Sequence, residues 1–76
     1  MGTRILGIDP GSRAAGWGVL DSDGQRLQAL DHGVIRVDAG ASLGVRLLEL
    51  HARIGEVLAR YKPEEVVIEQ VFVPEA

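Results

Sequence analysis

Ile5-Leu6-Gly7-Ile8-Asp9-Pro10-Gly11-Ser12 is an apolar run that ends in a carboxylate and then reverses direction. Aliphatic residues without a polar alternate predict a strand over residues 4–8 with apolar cover on both faces. Pro10 fixes its own φ and drives Asp9 toward extended backbone, and Gly11 permits a tight reversal. Asp9 is thereby held at the carboxyl end of a strand, the edge at which open α/β sheets bind their ligands. An Asp before Pro-Gly also serves simply as a turn former. The question is therefore whether a second chemical group shares its edge.

Outward from this stretch, residues 14–20 read as a second strand, and Asp21-Ser22-Asp23-Gly24 as the turn of a hairpin. A third strand covers roughly residues 25–37. It can break near Asp31-His32-Gly33, where Gly33 suggests a bulge or a close backbone approach. After a short loop, Ser42 is a candidate helix N-cap. Leu47, Leu50, Ile54, Val57, Leu58 and Tyr61 then recur at steps of three and four, which predicts a helix over residues 43–61. Arg60 and Lys62 suit its C-terminal dipole, and Pro63 stops it. Val66-Val67-Ile68 is a short β-branched strand ending in Glu69. The order is β-β-β-α-β, an α/β fold with a mixed sheet. Three strands form an antiparallel meander, and the helix returns the chain for a strand parallel to the first. If the fourth strand lies beside the first, Asp9 and Glu69 are neighbours at one sheet edge.

Composition bounds the function. The chain has 76 residues, enough for one small domain. A domain of that size buries only about 60–65% of the surface its unfolded chain exposes. Without cysteine there is no disulfide and no thiolate metal site. No charge-poor apolar run approaches the roughly 20 residues of a membrane span, and Gly7, Asp9 and Pro10 break any signal-peptide pattern. These features fit a reducing, cytoplasmic setting and no membrane partner. Eight Lys plus Arg against eleven Asp plus Glu leave a net charge of −3, which supplies no electrostatic argument for nucleic acid.

Two carboxylates side by side at a sheet edge either hold a hard divalent cation such as Mg²⁺ or share a proton so that one acts as a general acid. In phosphodiester chemistry, two metals about 3.5–4 Å apart stabilise the attacking and leaving oxygens. Such centres usually use three or four acids. Asp21, Asp23, Asp31 and Asp38 are expected in turns or loops elsewhere, and Glu64 and Glu65 at the opposite end of the fourth strand. His32 and His51 read as partly buried structural residues, and Trp17 as core. Phe72 either stacks on a base or covers the core. Arg13 either reaches a phosphate or is solvated, and Ser12 lies beside it in the same turn.

Ile5-Leu6-Gly7-Ile8-Asp9-Pro10-Gly11-Ser12-Arg13 followed by Gly16-Trp17-Gly18-Val19 resembles the N-terminus of the RuvC family of Holliday-junction resolvases. Gly33-Val34-Ile35-Arg36 resembles the family's third strand, and Ile68-Glu69-Gln70-Val71-Phe72 its second acidic motif. The resemblance covers nearly the whole chain. It implies a ribonuclease H-like fold, with residues 1–76 as the N-terminal part of a single nuclease domain, ending before the C-terminal strand and helices. It further implies a homodimer that cuts four-way DNA junctions with Mg²⁺ or Mn²⁺, two ions in the complete enzyme, alongside branch-migration machinery. Asp9 and Glu69 take the places of the family's first two catalytic, metal-binding acids. Phe72 takes that of the aromatic engaging the junction, with Ser12 and Arg13 as further DNA contacts. The family's other two acids lie in a C-terminal helix, and no residue here matches them, so the 76-residue chain alone is expected to be inactive. After the aromatic the family continues with Lys or Asn, whereas Val73-Pro74-Glu75-Ala76 stand here. The alternatives are a non-catalytic ribonuclease H-like assembly or binding module, and a fragment of an actin-like or sugar-kinase ATPase, whose first phosphate loop Gly-Ile-Asp-Pro-Gly-Ser also resembles.

One physical consequence follows. The helix of residues 43–61 covers one sheet face, yet the strands read as apolar on both. An exposed apolar patch of several hundred Å² favours association, so the chain is expected to dimerise, swap segments or aggregate. A well-behaved monomer in sedimentation at high concentration contradicts this.

Overall fold

In a computed structural model, residues 2–11 and 14–69 are described. They form β1 (Thr3–Pro10), β2 (Ala14–Ser22), β3 (Leu27–Arg36), α1 (Leu43–Tyr61) and β4 (Glu65–Ile68). The four strands make one mixed sheet in the order β3-β2-β1-β4. β1 and β2 pair antiparallel from Thr3↔Ser22 to Pro10↔Ala15. β4 pairs parallel to β1 from Ile5↔Glu65 to Ile8↔Ile68. The expected β-β-β-α-β order and the juxtaposition of the first and last strands are both present.

Local chemistry explains the boundaries. The β2–β3 turn is tied by the Asp23 carboxylate, which accepts from the backbone N–H of Gln25 and Arg26. The register slips between Val19 and Leu20, so that Val19 faces Asp31 while Leu20 faces Ala29. The irregularity thus falls at Leu30, just before the expected Asp31-His32-Gly33, and β3 continues through it. Neither a bulge nor a close backbone approach falls at Gly33; a side chain approaches instead, since a Cβ there would lie 2.8 Å from the Trp17 indole. Ser42 caps α1 by accepting from the Val45 N–H, and Lys62 ends it in the left-handed conformation, donating its N–H to the Leu58 carbonyl. Pro63 then prevents continuation.

Leu6, Ile8 and Val19 form the buried cluster, with Trp17, Ile54, Val57 and Tyr61 packed on it. Full burial of a Leu, Ile or Val contributes about 1.5–3 kcal/mol, and among the described residues Leu6, Val19 and Ile35 are essentially sealed. Residues 6 and 8 of β1 therefore face the helix. By alternation Ile5, Gly7 and Asp9 face the other way. The molecule measures 43 × 33 × 15 Å. That thickness holds a sheet and one layer of helix, so among the described residues the second sheet face is uncovered.

Several expectations require correction. α1 covers its face only in part. No helix residue is buried, Leu43, Leu47 and Leu48 in its first half are bare (Leu48 is 72% exposed), and every β4 residue is exposed. His32 and His51 are exposed rather than partly buried. His32 sits opposite Gly18 on the uncovered face, and His51 lies in the half of α1 that the core cluster does not reach. Asp21 and Asp31 lie within strands, not in turns or loops. Each is tolerated there because it has a partner, Arg4 for Asp21 and Tyr61 for Asp31.

Candidate metal centre at the sheet edge

The parallel register carries Asp9 and Glu69 to one place. Ile8 and Ile68 are partners, so the next residue on each strand is an acid. The Glu69 N–H donates to the Ile8 carbonyl at 3.0 Å, which extends the ladder to that position. In-register residues of neighbouring parallel strands project to the same face, and the strands lie about 4.8 Å apart. Both acids therefore stand on the uncovered face, at the carboxyl ends of β1 and β4, and both are exposed. Gly11 fixes the exit from Asp9, because a Cβ there would meet the Ala14 carbonyl oxygen at 2.6 Å. A larger residue would force the turn apart and move Asp9.

A concavity of about 290 Å³ opens beside the pair, lined by Gly7, Asp9, Gly16, Gly18, Val67 and Glu69 among others. Across the sheet, Gly16 is the partner of Asp9 and Gly18 that of Gly7. At Gly16 an added Cβ would meet nothing within 4 Å. The absence of side chains there leaves the floor beside the acids open. The Gly-rich run Ala14-Ala15-Gly16-Trp17-Gly18 was the sequence signal for this floor, but its meaning depends on a strand pairing that the run does not itself specify.

The donor set suits a hard cation in kind. Carboxylate oxygens are the ligands that Mg²⁺ and Mn²⁺ prefer. Among the described residues, no basic side chain pairs with Asp9 or Glu69. The number is two, because no group of three or more His, Cys, Asp or Glu side chains comes together among the described residues. Ser12, Arg13 and Phe72, the three candidate DNA contacts, lie outside the described residues.

The opposite end of the sheet is chemically distinct. Arg4 clasps Asp21 through two nitrogens at 2.9 and 3.2 Å and reaches the Tyr61 carbonyl at 3.1 Å. This contact holds Asp21 below the usual carboxylate range and pushes Arg4 up. Arg4, Asp21, Arg26, Arg60, Lys62 and Glu64 ring an open concavity of about 950 Å³. It is larger than the one beside Asp9 and Glu69, but the clasp neutralises part of its charge internally. Outside the clasp, Arg26, Arg60 and Lys62 line it together with Asp23 and Glu64.

Comparison with known proteins agrees with the resemblance. The family model described as "Crossover junction endodeoxyribonuclease RuvC" matches residues 5–76. Proteins of that name from Ruegeria pomeroyi and Magnetococcus marinus are 51% and 46% identical over 70 residues, 92% of this chain in each case. The chain spans 42% and 39% of those relatives, or about two fifths of their length. The structure of Thermus thermophilus RuvC in complex with a Holliday junction substrate superposes with a TM-score of 0.80 at 34% identity, over 95% of this chain and 47% of that one. An Aquifex aeolicus PPX-GPPA enzyme shares the fold alone, with a TM-score of 0.68 at 17% identity over 90% of this chain and 26% of that one. The fold is that of RuvC, ribonuclease H-like with a mixed sheet. The chain belongs to the RuvC crossover junction endodeoxyribonuclease family.

Proposed function

We propose that residues 1–76 are the N-terminal part of a single ribonuclease H-like nuclease domain that hydrolyses phosphodiesters of four-way junction DNA. The observation that carries the reading is the parallel register placing Asp9 and Glu69 together on the open face. In it, Asp9 and Glu69 would be two of the carboxylates that hold Mg²⁺ or Mn²⁺, two ions in the complete enzyme, and the bound metal would supply polarisation of phosphoryl oxygens and activation of water. The two acids orient that charge at the strand ends. The glycine floor admits the sugar–phosphate backbone close to the sheet. Ser12, Arg13 and Phe72 are assigned to the DNA, Arg13 to a phosphate and Phe72 to a base by stacking. The complete protein acts as a homodimer in the cytoplasm, next to branch-migration machinery. No described helix is long and apolar enough to cross a membrane.

A second reading, a binding module without chemistry, is favoured by the presence of only two clustered acids among the described residues. A chimera separates the two, with residues 1–76 replacing the matching segment of T. thermophilus RuvC. The nuclease reading expects Mg²⁺-dependent cleavage of a four-way junction. Asp9→Asn or Glu69→Gln should lower the cleavage rate by about 100-fold or more, since even indirect partners of metal ligands cost about 10–100-fold, while junction binding in gel shifts persists. A chimera that binds junctions but never cleaves supports the binding module. Variants that cleave at the parent rate remove both acids from the centre.

A further inference from the structure

We infer that Trp17, laid over Gly33 and held there by Tyr61 and Asp31, is a positioning residue that sets the glycine floor and the backbone of Asp9 from the opposite face of the sheet. The inference rests on the metal-binding role proposed for Asp9 and Glu69, and it adds residues on the helix side on which that role depends.

Gly16, Trp17 and Gly18 are successive residues of β2, and their β1 partners are Asp9, Ile8 and Gly7. By alternation the two glycines lie on the face of Asp9, and Trp17 lies on the helix face with Ile8. Glycine in a strand brings backbone freedom and no side chain to restrain it. With no side chain at residues 16 and 18, this stretch packs through Trp17 alone. Ligating carboxylates need their geometry held within about 0.5 Å by packed neighbours. Trp17 is bonded in sequence to Gly16, the partner of Asp9, so a displaced indole displaces the floor and the strand beside it.

The indole is fixed from two sides. On β3 its partner is Gly33, where an added Cβ would lie 2.8 Å from three atoms of the ring. The ring thus occupies the space that any larger residue would fill, and an aromatic laid over a cross-strand glycine pins strand register. On the helix side the Tyr61 ring lies 6.0 Å away at 43°, within the range that aromatic pairs prefer. Tyr61 is itself tied, because its hydroxyl donates to Asp31, two residues before Gly33 on β3. Trp17, Gly33, Asp31 and Tyr61 therefore close a ring of contacts between β2, β3 and the end of α1. Trp17 serves both faces. It lines the concavity beside the acids, and with Asp31 and Tyr61 it lines a smaller one of about 200 Å³ against α1. All four residues precede β4, so the arrangement is independent of how β4 is flanked.

The test is Mn²⁺ binding by the 76-residue chain, with free ion followed by electron paramagnetic resonance and amide resonances by NMR. Gly33→Ala crowds the indole, and Tyr61→Phe removes only the hydroxyl that ties the ring to Asp31. Ile54→Val is the control, because it trims a side chain packed on the same buried cluster but outside this ring of contacts. Each of the two variants should shift the Gly16 and Gly18 amides and weaken Mn²⁺ binding about tenfold, the lower end of the cost of losing an indirect partner of metal ligands. Ile54→Val should lower the Tm and leave Mn²⁺ affinity unchanged. If Gly33→Ala does not fold, Tyr61→Phe decides. Parent affinity in Tyr61→Phe, with binding still lost in Asp9→Asn, overturns the positioning role while the metal-binding role stands. Binding that survives Asp9→Asn overturns both. An equal loss of affinity in Ile54→Val also overturns the positioning role, since it reports general loss of stability.

Discussion

Tyr61, the last residue of α1, donates its hydroxyl to the Asp31 carboxylate on β3 and sets its ring 6.0 Å from that of Trp17. Arg60 lies over the same Tyr61 ring, 5.3 Å from its centroid. The hydrogen bond from Tyr61 holds Asp31 below the usual carboxylate range, and the same bond pushes the Tyr61 phenol up. Asp21 and Asp23 are also held low, by the Arg4 side chain and by backbone N–H groups respectively. The signs follow from linkage. A carboxylate with a depressed folded pKa stabilises the fold above its unfolded value of about 3.9, and this is lost as pH falls through the lower folded value. The raised phenol contributes fully below about 10, and its contribution is lost as pH rises through the higher folded value. Thermal melts should therefore be nearly flat between these limits and decline outside them. Asp31→Asn should lower the Tm at neutral pH and flatten part of the acid decline. An acid limb unchanged in that variant would contradict the role given to Asp31.

At the scale of elements, legibility tracked the range of the forces involved. α1 was readable to the residue, because Ser42, the three-and-four spacing and Pro63 are local signals, and its observed bounds are Leu43–Tyr61. β1 was readable over residues 4–8, and pairing with β2 extends it to Thr3–Pro10, past the Pro10 that looked like its stop. The burial of α1 was not readable. Its periodic leucines announce an apolar face, but how much of that face meets the sheet depends on where the crossover lays the helix, and Leu43, Leu47 and Leu48 remain exposed. Gly33 carried two meanings in the sequence, a bulge or a close backbone approach. Neither holds: the Trp17 side chain occupies the space beside it, and the bulge sits at Leu30, where no residue type marks it. Asp21 and Asp31 looked like turn residues because Asp favours turns. Partners seventeen and thirty positions away hold them in strands, and such pairings have no local signature.

At the scale of the molecule, the described residues form a two-layer slab, with the acid pair on the side that among them has no helix. Ile5, Val34 and Val67 share the open face with Asp9 and Glu69 by strand alternation, and Val34 and Val67 are more than half exposed. The site was legible in part. Asp9 stood out by its Pro-Gly context, and Glu69 became its partner only through the sheet order, which the helix crossover implied and the structure shows. The glycine floor had no reading until the strands were paired. The central claim is that these two acids act together on a metal. It is tested most directly by titrating the 76-residue chain with Mn²⁺, following free ion by electron paramagnetic resonance, beside Asp9→Asn and Glu69→Gln. Weak binding at one site, lost in both single variants, is the expected result. Undiminished Mn²⁺ binding in either variant would contradict the claim.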